Sequence, residues 1–373
     1  MATFIDFHAL QTLPPSNINR GEDGAPKTAV FGGTRRQRIS SQALKSAQRR
    51  DFAQILNRED LGLRTKQIVA ETAARVRAID PEISPEEAEK WASSAFGKAG
   101  IKVAKPKVKK DEDPKPEQAG YLVFLGNHQL DRLAAAIVER RDTAFTKKEV
   151  LEIIDTEHAV DVSLFGRMIA DDAALNVDAA VQTAHALGVS EAAPDFDFYT
   201  AVDDFTKAEE ETGAGMMGTI EMMSSTFYRY ATLNVDQLLE NLGSKEAVMR
   251  AVDAYARTFI LSLPTGYQNS FAAHTLPDLV SVAVRKRPVS YINAYEKAVA
   301  PDERGTIAAA SEAMADEASK VTELYGLAPE RSWLIASDAL EADVDSLGQK
   351  TGFAELLSQL EEQVRSLINQ DGK

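Results

Sequence analysis

No cysteine occurs among the 373 residues, and that absence removes disulfides and thiolate-held metals together. Histidine is scarce as well. The five (His8, His128, His158, His185, His274) never take the HxH or HExxH spacing that turns two imidazoles toward one metal, so no metal or cofactor is expected. Gly32-Gly33 ahead of a run of arginines lacks the frame of a nucleotide-binding phosphate loop. No apolar run approaches the roughly 20 residues of a membrane-spanning helix. Met1-Ala2-Thr3 leads straight into a strand pattern without a signal-peptide core, so a cytoplasmic protein with no membrane partner is expected. Positive charge is also short: 42 Lys+Arg against 57 Asp+Glu leave −15 at pH 7. A chain of that sign repels nucleic acid unless its charge is unevenly spread.

It is unevenly spread. Residues 20–50 hold eight cations (Arg20, Lys27, Arg35, Arg36, Arg38, Lys45, Arg49, Arg50) against Glu22 and Asp23, a local charge of 8 − 2 = +6. The same stretch has a readable local structure. Ala29-Val30-Phe31 is a short apolar strand, two glycines make a turn, and Ser40 is placed to cap a helix running from Ser41 to about Leu56. Leu44, Ala47, Phe52 and Ile55 share one face of that helix, and Lys45 and Arg49, four residues apart, share another. Amide donors at a helix start, with cations around them, would favour an anion such as phosphate. The plainer reading of the same charges is a solvated basic face.

The rest of the chain is ordinarily globular, 44% hydrophobic and 27% charged, and long enough for one large domain with insertions or for two domains. Strand one is expected over 3–12, with Ile5, Phe7 and Ala9 alternating against Asp6, His8 and Leu10. A loop rich in proline and glycine follows, leaving Asn17, Asn19 and Arg20 available for contacts. Helices are expected near 63–78, 84–96, 128–141 and 147–155, with 98–117 a lysine-rich loop between them. Strands are expected over 159–169 and 177–187, around Asp171-Asp172. From Pro194 the strict alternation Asp195-Phe196-Asp197-Phe198, the acidic Glu209-Glu210-Glu211, Gly213-Ala214-Gly215 and the return from Thr219 to Met223 read as a long hairpin-like protrusion. Phe227 to Tyr230 resumes strand character, a helix covers 245–263, and Leu279 to Val284 is the best late strand. Helices near 303–325 and 352–368 close the chain. On pattern alone Met168 and Phe198 read as ordinary core.

The opening FIDFHALQTLPPSNINRGEDGAPKTAVFGGTRRQRISSQALK, with its string FGG-x-RR-x-RISSQ-x-LK, resembles the backbone subunit of the type I-E CRISPR Cascade complex, the CasC family. SLFGRM (163–168), YTAVDD (199–204), GAG-x-x-GT-x-E (213–221), FYRYA (227–231) and NAYEKAV (293–299) extend the resemblance over most of the chain. It implies an α+β fold shaped as a hand. An RRM-like (ferredoxin-like) antiparallel-sheet palm would comprise 1–60, 158–192 and 225–373 with the C-terminal helices. A helical finger insertion would span 61–157 and a β-hairpin thumb 193–224. It also implies a non-catalytic protein that binds CRISPR RNA and polymerises, typically as a hexamer, along the guide. The guide would then pair with a target DNA strand, beside the other subunits CasA, CasB, CasD and CasE.

Carried over position by position, Arg20, Lys27, Ser40, Gln42, Lys45 and Arg49 would contact the guide, and Met168 and Tyr199 would flank a displaced base. Phe198 and Met217 are further apolar candidates on the protrusion, where acidic residues cannot grip phosphate. Arg35, Arg36 and Arg38 would either touch RNA or brace the fold. The alternative is a metal-dependent endoribonuclease of the type III kind using Asp23, in the loop after strand one. A third reading is a purely architectural oligomer, against which the basic cluster argues.

Overall fold

The first strand runs Phe4–Ser16, and both of its faces are buried. Asp6 and His8 are as inaccessible as Ile5 and Phe7. The alternation correctly marks a strand, but its polar side faces protein rather than water. In the computed structural model, which describes residues 2–106, 116–169, 172–201 and 216–370, this strand is central to a sheet dominated by antiparallel pairs. Leu279–Arg285 lies along one side of it, in a register pairing Phe4 with Arg285 and Leu10 with Leu279. Arg331–Ala336 continues the sheet beyond that neighbour, and the two-residue strand Gln349–Lys350 joins it in parallel. On the other side come Met216–Asn234, Ala186–Gly188, Thr34–Ile39 and Thr28–Phe31, in that order. The architecture is mixed α+β.

The chain divides into two compact units. The first comprises 1–51, 183–232 and 255–363, the second 52–182, 233–254 and 364–373. The segments 158–192 and 225–373, expected together in the palm, are therefore divided between them. In the first unit, Tyr255 and Phe259 pack on Phe7 with ring centroids 5.3 and 5.4 Å away. The opposite face of the sheet buries Leu10, Tyr228, Leu279 and Leu334 against Tyr291, Tyr295 and the alanine-rich helix Thr306–Tyr325. The second unit has its own core of Ile68, Val76, Trp91, Phe96, Leu130, Leu133 and Ile137. Its helices Ile68–Ile79, Pro85–Lys98, Asn127–Arg140 and Lys147–Ile154 start cleanly where the sequence supplies caps. Ser84 and Thr146 each accept from the amide three residues on, and Glu87 and Glu149 reach back to them.

Four expectations change. Residues 159–169 are no strand: Val160–Phe165 forms a short helix in which both Asp161 and Val162 are buried. Within 177–187 the pairing is broken into Val181–Thr183 and Ala186–Gly188. Residues 63–65 belong to a strand, Gly62–Thr65, paired with Val123–Gly126, and the helix begins only at Ile68. The basic helix is Ser41–Phe52, so Ile55 lies past its end and is 41% exposed. Asp171, the acidic run Glu209 to Glu211, Gly213-Ala214-Gly215 and positions 107–115 of the lysine-rich loop lie outside the described residues.

Candidate nucleic-acid interface

The basic stretch forms a hairpin followed by a helix. Thr28–Phe31 pairs with Thr34–Ile39, Val30 opposite Arg35 and Phe31 opposite Thr34, which leaves Gly32-Gly33 as a two-residue turn. Both glycines have positive φ, 57° and 78°, the geometry of the turn whose twist matches two antiparallel strands. The hairpin joins the sheet through Arg38 and Ile39, opposite Leu187 and Ala186.

Three neighbouring arginines then have different fates. Arg36 is fully buried, and all five of its N–H donors are engaged. Nε donates to Thr34 Oγ1 at 2.7 Å, Nη1 to the carbonyls of Gly188 and Val189, and Nη2 to those of Tyr295 and Glu296. It ties the hairpin to two distant segments and has no surface to offer a ligand, which corrects its inclusion among RNA contacts. Arg35 is exposed, its Nη1 donating to Thr28 Oγ1 at 2.9 Å. Arg38 is half-buried beside His185.

Arg20, Lys27 and Arg38 line one open cleft of about 590 Å³, together with Glu22 and Asp23. The Arg20 guanidinium lies 4.9 Å from the ring centroid of Tyr267, an aromatic platform that sequence reasoning passed over. Asp23 is partly spoken for, since its Oδ1 accepts from the Ala25 amide at 3.2 Å. Asn17 and Asn19, expected to be free for contacts, are structural. Asn17 is buried and its Nδ2 donates to the carbonyls of Gly24 and Glu221, while Asn19 Oδ1 accepts from the Ser40 amide at 2.8 Å.

Ser40 is the helix cap, its Oγ accepting from the Ala43 amide at 3.3 Å. The Ser41 amide is taken by His185 Nδ1 at 2.9 Å. Two of the first-turn donors expected to hold an anion are therefore occupied within the chain, and side chains must carry that task instead. Gln42 is exposed. Lys45 and Arg49 are half-buried one turn apart, and burial lowers the pKa of the Lys45 ammonium.

The aromatic candidates lie on a two-stranded arm, Asp195–Ala201 against the start of Met216–Asn234. Tyr199 is opposite Gly218, and its ring sits so close that a Cβ there would meet the phenol at 2.5 Å and displace it. Residues directly opposite share a face. Tyr199 thus shares one face with Ile220 and Met222, while Phe196, Phe198 and Met217 stand on the other, 63–66% exposed. Phe198 is not core. Neither is Met168, 81% exposed in the second unit. Its turn is held by Arg167, a residue sequence reasoning missed. Arg167 is buried, donates through Nε to the Leu175 carbonyl at 2.7 Å, and pairs with Asp155 at 2.5 Å. The first unit thus gathers Arg20, Lys27, Arg35, Arg38, Ser40, Gln42, Lys45, Arg49 and Tyr199; Met168 belongs to the second.

Residues 5–360 match the family described as CT1975-like protein. No curated protein matches the chain. A solved structure described as a CRISPR RNA-guided surveillance complex, pre-nicking, superposes with TM-score 0.85 at 34% identity, covering 97% of this chain and 100% of that one. A second, described as a CRISPR RNA-guided surveillance complex, gives TM-score 0.73 at 28% identity over 96% and 99%.

Proposed function

This chain belongs to the CT1975-like protein family, and from that premise we propose that it is a subunit of a CRISPR RNA-guided surveillance complex and binds the guide RNA. The finer reading is the type I-E backbone role. Copies of the chain assemble along the guide through a palm, helical fingers and thumb, do no chemistry of their own, and present the guide to a DNA strand. The observation that carries RNA binding is electrostatic. Among the described residues no carboxylate pairs with Arg20, Lys27, Arg35 or Arg38, although acids outnumber cations in the chain. Arginines elsewhere, such as Arg75, Arg140 and Arg304, are neutralised by Glu or Asp at 2.6–2.8 Å. Cations kept unpaired in an acidic protein suit a polyanion brought from outside. Contacts to phosphate, blind to base identity, also suit a protein whose successive copies hold different guide sequences.

The test is purification of the assembled complex followed by extraction of nucleic acid. RNA of uniform length in fixed ratio to this chain is expected, and a nucleic-acid-free oligomer would return the chain to the architectural reading. The ribonuclease alternative keeps one argument, because Asp23 shares the cleft with Arg20, Lys27 and Arg38. Incubating the complex with labelled complementary RNA, with and without magnesium or manganese, is expected to leave that RNA intact. Cleavage abolished by Asp23→Ala would make the chain an enzyme.

A further inference from the structure

His185 stands 144 residues from the basic helix in sequence and touches it in space. Two donors converge on its Nδ1: the Ser41 amide at 2.9 Å and Arg38 Nη1 at 3.3 Å. An imidazole nitrogen that accepts carries no proton, so the neutral ring must hold its hydrogen on Nε2. Protonating Nδ1 would set three donors against one another, and the charged groups acting on the ring are both cations, Arg38 and Lys27. Those charges and partial burial lower the pKa of His185. His185 is exposed, and Arg38, which it contacts, lines the open cleft together with Lys27.

We propose that His185 is a further RNA-binding residue, a neutral and orientation-locked donor whose Nε2–H bonds a phosphodiester oxygen held by Arg38 and Lys27. This rests on the RNA-binding reading above and names a seat within it. The groups proposed to meet the phosphate are all donors, a guanidinium, an ammonium and one N–H of fixed direction, although Glu22 and Asp23 line the same cleft. Such a set fits the non-bridging oxygens of a phosphodiester and disfavours a cationic ligand. Locking the tautomer through the Ser41 amide also fixes the ring's direction before the ligand arrives, as outer partners do for metal-bound histidines.

A neutral donor differs from a cation in two measurable ways. It contributes hydrogen-bond affinity without releasing a counterion, and its contribution does not grow as the solution is acidified through the ordinary histidine range. The experiment titrates the full-length protein with a single-stranded uridine 20-mer across salt concentration and at pH 6, 7 and 8. His185→Leu is expected to weaken binding roughly five- to tenfold at every pH, a modest hydrogen-bond effect, with the salt slope unchanged. Arg38→Gln is expected to lower the slope by about 0.7. Nitrogen-15 spectra of the wild-type histidines provide a readout that needs no variant to fold: His185 is expected as the Nε2–H tautomer, with Nε2 shifting when the oligonucleotide binds. Equal affinity for His185→Leu and wild type, or a loss that deepens at pH 6 with a reduced slope, overturns the neutral-donor role. A wild-type protein that fails to bind the oligonucleotide overturns the RNA-binding reading itself, so the two failures are told apart.

Discussion

Among single residues, Arg36 shows best how charge can mislead. Adjacent to Arg35 in sequence, it does the opposite work: four backbone carbonyls from two distant segments depend on its guanidinium. Removing it strands those buried acceptors, each costing roughly 1–3 kcal/mol when left unmet. Arg36→Met is therefore expected to lower unfolding free energy by about 3 kcal/mol or more in urea titration. Arg35→Met is expected to change it by less than about 0.5 kcal/mol, as for an ordinary surface site. Equal effects would mean that Arg36 does not brace the fold.

The pair Asp6 and His8 supplies a second residue-scale prediction. Burial raises the Asp6 carboxyl from 3.8 to about 6, against opposing bonds from Tyr230 and Val289 and the attraction of Arg285. Between those values the folded state holds a proton that the unfolded chain has released, so Asp6 makes stability fall as pH rises from about 4 to 6. His8, buried and stacked 4.4 Å from Tyr291, is lowered from 6.5 to about 3 by burial and by Arg285. There the unfolded chain binds the extra proton, and stability falls as pH drops below 6.5. The two slopes oppose, each approaching about 1.4 kcal/mol per pH unit. His8→Phe keeps a ring in place and deletes one slope. Its stability relative to wild type should rise by roughly 1.4 kcal/mol per unit as pH falls from 6 to 4. Parallel curves for the two proteins would refute the assignment.

Among elements, the arm formed by Asp195–Ala201 and Met216–Asn234 separates packing from binding. Were Tyr199 a core residue, Tyr199→Ala would cost about 3–5 kcal/mol. Its ring instead covers one glycine across a strand pair, a contact worth roughly 0.2–1 kcal/mol. The free subunit is expected to melt within a few degrees of wild type, while RNA affinity falls by the roughly 1–3 kcal/mol of a lost base stack. An early-melting variant with unaltered RNA binding would make Tyr199 a packing residue.

That arm, the basic hairpin and helix, and the capped helices of the second unit were legible because their signals are local: strict alternation, a glycine pair, Ser84 or Thr146 three residues before glutamate. Val160–Phe165 was misread because a short buried helix and a buried strand present the same apolar run. Arg331–Ala336, a sheet neighbour of Leu279–Arg285, was missed because its exposed and buried positions do not alternate cleanly. The backbone partners of Arg36 and His185 lie 144 to 260 residues from them, and no pattern along one chain shows which carbonyl or amide the fold will bring there.

At the scale of the whole molecule, the net charge of −15 and the proposed attraction of the basic stretch for RNA would act over different distances. Screening confines exposed charges to about 8–10 Å at ordinary ionic strength, so a phosphate held by the hairpin and helix is governed by local cations more than by the total. The sign of the salt effect decides between them. If overall repulsion dominated, added salt would screen it and strengthen binding. If local neutralisation dominates, binding releases counterions, and log K falls by roughly 0.7 per contacted phosphate per decade of salt. The second behaviour is expected, with little preference among base sequences. Lys45→Ala should weaken all single-stranded RNAs alike and reduce the slope by about 0.7. Lys148→Gln removes the same charge from a side chain 86% exposed in the other unit and should leave the slope unchanged. Equal slope changes in both variants would mean that the total charge sets the affinity, whereas a Lys45→Ala loss confined to particular bases would show that Lys45 reads bases rather than phosphate.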